Sequence, residues 1–340
     1  MIRAATLREV AERAGVHPST ASRALNVTTR RLVNEDTVKR VLTAARELGY
    51  RPNSLARGLK TNKTYTVGML IPDLTNPLFP PIARGIEDTL AAAEYTLILA
   101  NTDGDPDRER QIVQSLLTRR VDGLILATAH RKAPEIDELI ASGVPVVLVN
   151  RTMDDPPVPS VTGDDHAGVG LGIKHLVRLG HRRIAHVAGP QYTSTGLARY
   201  QSFFAWMKSE GLEPDPALIA EADWFSEEPG AKAFRHIIET GADFTAVVAA
   251  NDLIAIGCYD ILKERSLEVG PDVSVVGYND MPFADKLHPP LTTVRIPHYQ
   301  IGVKAAEAVL AFIQGTSLGA VAVRLPPSLV VRESTAPAPR

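Results

Sequence analysis

The chain reads as two architectures joined end to end: a small module of three short helices, then an α/β body of two doubly wound parallel sheets. Three observations predict this. Its 340 residues exceed what one hydrophobic core usually serves. Residues 1–60 carry twelve Lys and Arg against five Asp and Glu, a balance of +7, so the rest, with 25 basic and 34 acidic side chains, stands at −9. After Thr61-Asn62-Lys63-Thr64 the apolar spacing changes from helical periodicity to short β-branched runs alternating with helices. A basic module on an acidic body is the outline of a protein that meets a polyanion at one end. Charge alone describes a solvated, arginine-rich helix face equally well.

The first sixty residues justify the helical module one element at a time. Thr6-Leu-Arg-Glu9 is a capping box, and Leu7, Val10, Ala11 and Ala14 follow at helical spacing until Gly15 ends the stripe. A second, short helix opens at His17-Pro18, with Pro at the first helical position. Ala21, Ala24 and Leu25 form its inner face, and Pro18, Ser19, Ser22 and Arg23 turn outward. A third starts after Asn34 with Glu35 and Asp36 in its first turn, directs Val38, Val41, Leu42, Ala45 and Leu48 inward, and ends at Gly49. Two helices joined by a tight Gly-containing turn, the second with small inner residues, make a helix-turn-helix whose second helix reads the DNA major groove. Spacing alone also fits a three-helix domain without a nucleic-acid role.

In the body, Val67–Ile71, Thr96–Ala100, Leu124–Ala127 and Val146–Val149 are apolar throughout, as strands buried on both faces are. Helices are expected near 80–93, 106–120 and 134–142. A second series follows, with strands at Ile184–Val187, Ala246–Ala249 and Val273–Val276 and helices near 166–179, 199–210, 229–240 and 252–264. Ser334–Arg340 reads as a loose tail. Two such lobes create a cleft at the carboxyl ends of their strands. The loops there carry Asp73, Asn76, Phe79, Asn101, Asp103, Asn150, Arg151, Thr193, Thr195, Asn251, Asp252, Asn279 and Asp280. Amides, carboxylates and a guanidinium suit a hydroxyl-bearing ligand, although solvated turns use the same residues.

Several classes are disfavoured. An apolar share of 44% with 22% charged residues is ordinary folded composition. The lone Cys258 allows no internal disulfide, suits a reducing compartment and excludes cysteine-based metal sites. The N-terminal MIRAATLREVAERAG has no apolar core of a signal peptide, and no apolar run reaches the length of a membrane span; a cytoplasmic protein without a membrane partner is expected. Gly168-Val-Gly-Leu-Gly172 lacks dinucleotide-binding spacing, and His175, His181 and His186 lack metal-type pairing. No catalytic constellation, metal or cofactor is expected, and so no enzyme.

The run from Thr6 to Asn26 (TLREVAERAGVHPSTASRALN) with Val41–Asn53 (VLTAARELGYRPN) strongly resembles the DNA-binding headpiece of the LacI/GalR family of bacterial transcription regulators. The resemblance continues through Asp73–Phe79, Val121–Ile125, Leu179–Ile184, Ala250–Asp252, Val275–Asp280 and Pro290–Val294, to about Arg332. It implies a headpiece over 1–50, a hinge helix over 51–62 and, over 63–340, a body like the periplasmic sugar-binding proteins. Its first lobe would comprise 63–162 and 292–320, its second 163–291 and 321–333. Pro18, Ser19 and Arg23 then match base-reading positions, Arg23 for a guanine, and Thr20, Ser22, Asn26, Tyr50 and Asn53 match phosphate-positioning ones. Thr6 and His17 complete the DNA-facing set, although His17 and Ala21 depart from the usual Ser and Val. In the hinge Leu59 matches the side chain that wedges into the minor groove and Ala56 its neighbour.

For the cleft, the resemblance assigns effector contacts to Asp73, Asn76, Phe79, Asn150, Thr193, Thr195, Arg199, Trp224, Asn251, Asn279 and Asp280. Arg199 matches the arginine that grips effector hydroxyls or carboxylates. Trp224 is a stacking platform or a buried core tryptophan. Thr193 stands where purine responders carry arginine, which favours a carbohydrate effector; Ser202, where Gly is usual, reshapes the pocket wall. The implied partners are a pseudo-palindromic double-stranded operator, a small carbohydrate-like effector and a second copy of the chain, with no heptad tail for tetramers. The implied function is a repressor switched by its effector; the alternative is a cytoplasmic sugar-binding receptor whose headpiece is incidental.

Overall fold

The computed structural model describes residues 5–26, 29–50, 63–133, 135–316, 319 and 321–339. Its contacts divide the chain into two compact units, Met1–Thr64 and Tyr65–Arg340. The expected hinge, with Asn53, Ala56 and Leu59, lies outside the described residues.

In the first unit α1 (Leu7–Ala14), α2 (Pro18–Leu25) and α3 (Glu35–Glu47) share one core. The capping box forms in both directions: the Thr6 amide donates to Glu9 at 2.7 Å and the Glu9 amide to the Thr6 hydroxyl at 3.3 Å. Gly15, at φ 62°, closes α1 in the left-handed conformation that a side chain would strain. Ala21 and Ala24 of α2 are buried against Val10, Ala11, Val41 and Ala45, so the small residues predicted to face inward do so. Leu48 is the exception. It caps α3 at 38% exposure, because the helix has ended and the chain turns at Gly49 to bring Tyr50 onto the core instead.

The second unit holds two six-stranded sheets of matching design. The strands are β1 (Thr66–Ile71), β2 (Thr96–Asn101), β3 (Gly123–Leu126), β4 (Val146–Val149), β5 (Ser160–Gly163), β6 (Ile184–Ala188), β7 (Ile219–Glu221), β8 (Ala246–Ala249), β9 (Ser274–Asn279), β10 (Thr292–Arg295), β11 (Ala322–Leu325) and β12 (Ser328–Val330). The first sheet runs β11-β5-β4-β3-β1-β2 and is parallel throughout. The second runs β12-β10-β9-β8-β6-β7 and is parallel except for β12. Central strands are buried along their length, as their unbroken apolar runs require. Thr96–Ala100 shares that pattern but is an edge strand, with Leu99 at 41% exposure; composition does not tell an edge from a centre.

The lobe boundaries differ from expectation. Thr292–Arg295 was expected in the first lobe and pairs instead with β9 of the second, while Ala322–Leu325, expected in the second, pairs with β5 of the first. The chain therefore crosses between lobes after Gly163, after Arg295 and after Leu325. Between the last two crossings the helix His298–Ile313 packs on Phe79–Ala92 so closely that a side chain at Gly85 would collide with the Tyr299 carbonyl.

Nor is the C-terminus loose. Ser334 is fully buried, its hydroxyl donating to the Val275 carbonyl at 2.6 Å and accepting the Thr292 amide at 2.7 Å. The Ala336 amide donates to Ser274 Oγ, the Ala338 amide to the Leu179 carbonyl, and His181 lies 3.0 Å from the Ala336 carbonyl. The Ser, Ala and Pro composition misleads here because every one of these partners is distant in sequence.

Candidate functional site

Two surfaces carry the expected chemistry, one in each unit. On the first, His17, Ser19, Ser22 and Arg23 are exposed along α2, with Pro18 and Thr20 half-exposed beside them. The face is held rigidly at both ends. At the start, His17 Nδ1 accepts the Ser19 amide at 3.3 Å in place of the usual hydroxyl cap. At the end, Thr29 donates to the Arg23 carbonyl at 3.1 Å and Arg30 Nε to the Ala24 carbonyl at 3.0 Å, satisfying two of the helix's orphan acceptors. Asn26 caps the same end through its amide, and Tyr50 packs half-buried on the core. Thr6 is exposed with its hydroxyl on Glu9.

The second surface is the cleft between the lobes. In each sheet the strand order reverses at its centre, at β1 and β3 in the first and at β6 and β8 in the second. The carboxyl ends of such strands are where open α/β sheets bind ligands. A small cavity opens there. Of the residues expected to contact an effector, Asp73, Asn76, Phe79, Asn150, Thr195, Arg199, Trp224, Asn251 and Asn279 line it.

Thr193 and Asp280 do not line it, and their side chains are otherwise engaged. Thr193 is fully buried as the N-cap of Ser194–Ser209; its hydroxyl accepts the Gly196 amide at 3.0 Å and donates to the Pro190 carbonyl at 2.7 Å. Asp280 is held between Arg295 at 2.6 Å and Arg332 at 2.7 Å. Ser202 faces a different cavity, alongside Asp164 and His166, and donates to the Ala198 carbonyl. Asn101 and Asp103 hydrogen-bond each other outside the cleft lining.

Arg199 anchors the second lobe's side. It is 5% exposed, with Nε on Asp165 at 2.8 Å, a terminal nitrogen on the Ala250 carbonyl at 2.6 Å and its guanidinium 3.8 Å from the centre of the Tyr278 ring. Burial acts to lower its pKa, but Asp165, Tyr278 and Asp252 together raise it above the usual arginine value, so the charge is permanent. Asn251 caps Asp252–Glu264 through the Ile254 amide at 2.8 Å. Asp252 behind it accepts the Thr293 hydroxyl at 2.5 Å and the Met281 amide at 2.7 Å, and burial pushes its pKa up to about 7. Trp224 is half-buried rather than a core residue. Its indole lies against Gly104 of the first lobe, where φ is +67° and any side chain would collide with the ring, so the two lobes touch through this pair.

Pro72, Leu78, Arg151 and Phe225 also line the cleft. Arg151 stood among the loop residues of the sequence but not in the effector set. Its position directly after Asn150 at the end of β4 is the signal that places it. The histidines are accounted for locally: His175 lies 2.9 Å from Thr335, His181 bonds Thr245 and Ala336, and His186 bonds the Val248 carbonyl while stacked on Phe203. No three His, Cys, Asp or Glu among the described residues are grouped to hold a metal ion, and no helix among them is long and apolar enough to cross a membrane.

Comparison with known proteins adds to this geometry. Residues 6–53 match the family model for bacterial regulatory proteins of the lacI family, and residues 64–328 the model for periplasmic binding proteins and the sugar-binding domain of the LacI family. The chain is 36% identical over 334 residues to the HTH-type transcriptional regulator RegA of Clostridium saccharobutylicum, covering 98% of this chain and 99% of that one. It is 34% identical over 332 residues to the ribose operon repressor of Escherichia coli (strain K12), covering 97% and 99%. Among solved structures it matches the lac repressor dimer bound to operator and an anti-inducer with a TM-score of 0.85 at 28% identity, over 98% of this chain and 100% of that one.

Proposed function

The chain belongs to the LacI family of bacterial regulatory proteins, and from that footing we propose a sequence-specific repressor whose operator affinity is set by a sugar or sugar derivative bound in the interlobe cleft. The observation that carries this reading is Arg199: a buried, permanently charged guanidinium fixed by Asp165, Ala250 and Tyr278 on the wall of a cleft that Trp224 spans. Such a group presents hydrogen bonds in a set geometry without reorganising, as recognition of a polyhydroxylated ligand requires.

Two copies of the chain bring two α2 helices to the half-sites of a pseudo-palindromic operator, as in the operator-bound lac repressor dimer. Arg23 reads a base; Ser19 and Pro18 flank it, while Thr20, Ser22 and Asn26 set the register on phosphates. The effector shifts the balance between two arrangements of the lobes, and the coupling is reciprocal. The work is non-enzymatic and takes place in the cytoplasm, where the operator is.

A gel shift against fragments of the protein's own genome, with and without a panel of sugars, tests the reading. Binding of one fragment above random DNA, altered by at least one sugar, is the expected result; equal retention of all fragments overturns it. Arg23→Ala should bring specific binding close to the nonspecific level while leaving the salt-sensitive component.

A further inference from the structure

The two lobes close the outer layer of their sheets differently. In the first, the helix Pro106–Thr118 follows β2 and Glu135–Ala141 follows β3; in the second, Glu227–Glu239 follows β7 and Asp252–Glu264 follows β8. The second lobe's pair is locked by glycine. A side chain at Gly257 would collide with the Glu227 carbonyl and one at Gly230 with the Ile254 backbone, so the two helices meet backbone to backbone. The first lobe's pair carries no glycine, and its second helix runs 7 residues where its counterpart runs 13. These two helices stand apart, with a chamber of about 340 Å³ between them.

Buried Val113, Leu126, Ile136 and Leu139, with half-buried Leu117, wall the chamber, while Gln114, Glu138 and Ser142 stand exposed at its rim. It shares only Pro72 and Arg151 with the cleft. No Phe, Tyr or Trp among the described residues lines it, whereas Phe79, Trp224 and Phe225 line the cleft; the chamber offers methyl and methylene surface in place of ring faces. Its other charged groups are engaged or solvated. Glu109 accepts the Thr128 hydroxyl at 2.6 Å, Arg110 pairs with Asp107 at 2.6 Å, and Glu138 is at the rim. Such a lining suits an aliphatic body with one polar end and no charge. A dry cavity of roughly 150 Å³ admits benzene, so the occupant can be about twice that size. We propose that this chamber is a second ligand site, apart from the effector cleft. It takes a small uncharged amphipathic molecule whose aliphatic body lies between the helices and whose hydroxyl or amide reaches Gln114 and Ser142. The proposal does not depend on what the cleft binds.

Methyl-detected NMR of the full-length protein, titrated with 1-butanol, 1-hexanol, 1,6-hexanediol and ribose, tests this. 1-Hexanol should shift the methyl signals of Val113, Leu117, Leu126, Ile136 and Leu139 saturably, with a Kd of about 1 mM or below. 1-Butanol should bind about tenfold or more weaker, since each buried methylene contributes roughly fourfold in affinity. The diol, polar at both ends, should bind no tighter than butanol. Leu117→Phe, which fills the chamber from within, should weaken hexanol binding about tenfold. Gln114→Trp, which covers the rim from an exposed position, should do the same and covers the case in which the phenylalanine variant fails to fold. Shifts spread over the whole molecule without saturation, hexanediol binding as tightly as hexanol, or binding unchanged by both substitutions overturns the proposal. So do chamber signals that move with protein concentration alone, which would make the occupant a second copy of the chain. Ribose should leave hexanol in place even where it binds in the cleft; ribose competing with hexanol overturns the proposal too.

Discussion

The two lobes of the second unit share a strand order yet bury charge in opposite ways. Each sheet reverses at its centre and is completed by a strand that arrives after a crossing, β11 in the first and β12 in the second. Each sends one buried arginine into the cleft. In the second lobe Arg199 has a carboxylate, a carbonyl and an aromatic face; in the first, Arg151 has a buried Nε without a partner. One backbone plan therefore accommodates both a buried guanidinium with an ion-pair partner and one without. The difference lies in whether a neighbouring element, here Asp165, supplies the counter-charge.

The largest test of that contrast is Arg199→Ala, which leaves the half-buried Asp165 without its counter-ion. It should destabilise the second lobe by about 3–5 kcal/mol in urea unfolding and abolish ligand-induced thermal shifts. Arg151→Met should do the opposite to stability, and destabilisation by both would erase the contrast. Next is Gly85→Ala in the first lobe, which drives a methyl group into the backbone at Tyr299 and Val303 and should cost about 1–3 kcal/mol without altering binding at saturating ligand.

Asp252 sharpens the comparison through pH. Its folded pKa of about 7 stands above its ordinary 3.8, so the folded chain binds the proton more tightly. This support for folding is present below about pH 4 and is lost as pH rises to about 7, at up to about 1.4 kcal/mol per unit. Asp252→Asn should flatten that slope in unfolding curves recorded between pH 5 and pH 8. The smallest effect belongs to Thr193→Ala. Losing the cap should cost about 1 kcal/mol and leave effector affinity within about twofold, because Thr193 does not line the cleft.

Legibility followed the range of the interactions. In the first unit the caps, helix starts and alanine face of α2 are written within a few residues of one another, and the structure reproduces them apart from Leu48. In the second, strand runs and loop residues were readable, and most cleft residues fell where strands end. What could not be read depended on distant partners. Thr193 and Asp280 are polar loop residues like their cleft-lining neighbours, and only the Gly196 amide and the pair Arg295 and Arg332 show that they are engaged. Thr292–Arg295 and Ala322–Leu325 exchange lobes because pairing, not composition, assigns a strand to its sheet. Ser334 is held by Val275, near the start of β9 and about sixty residues upstream.

The three crossings also bear on synthesis. The first lobe begins at Thr66, yet it lacks the helix His298–Ile313 and the strand Ala322–Leu325 until the ribosome has made nearly the whole chain. A nascent chain stalled before residue 298 carries its helical head and a first sheet in which β3, β4 and β5 still lack the helix that packs on them. Completion of the first lobe, and with it of the cleft wall, therefore waits until β6 to β10 of the second have been made.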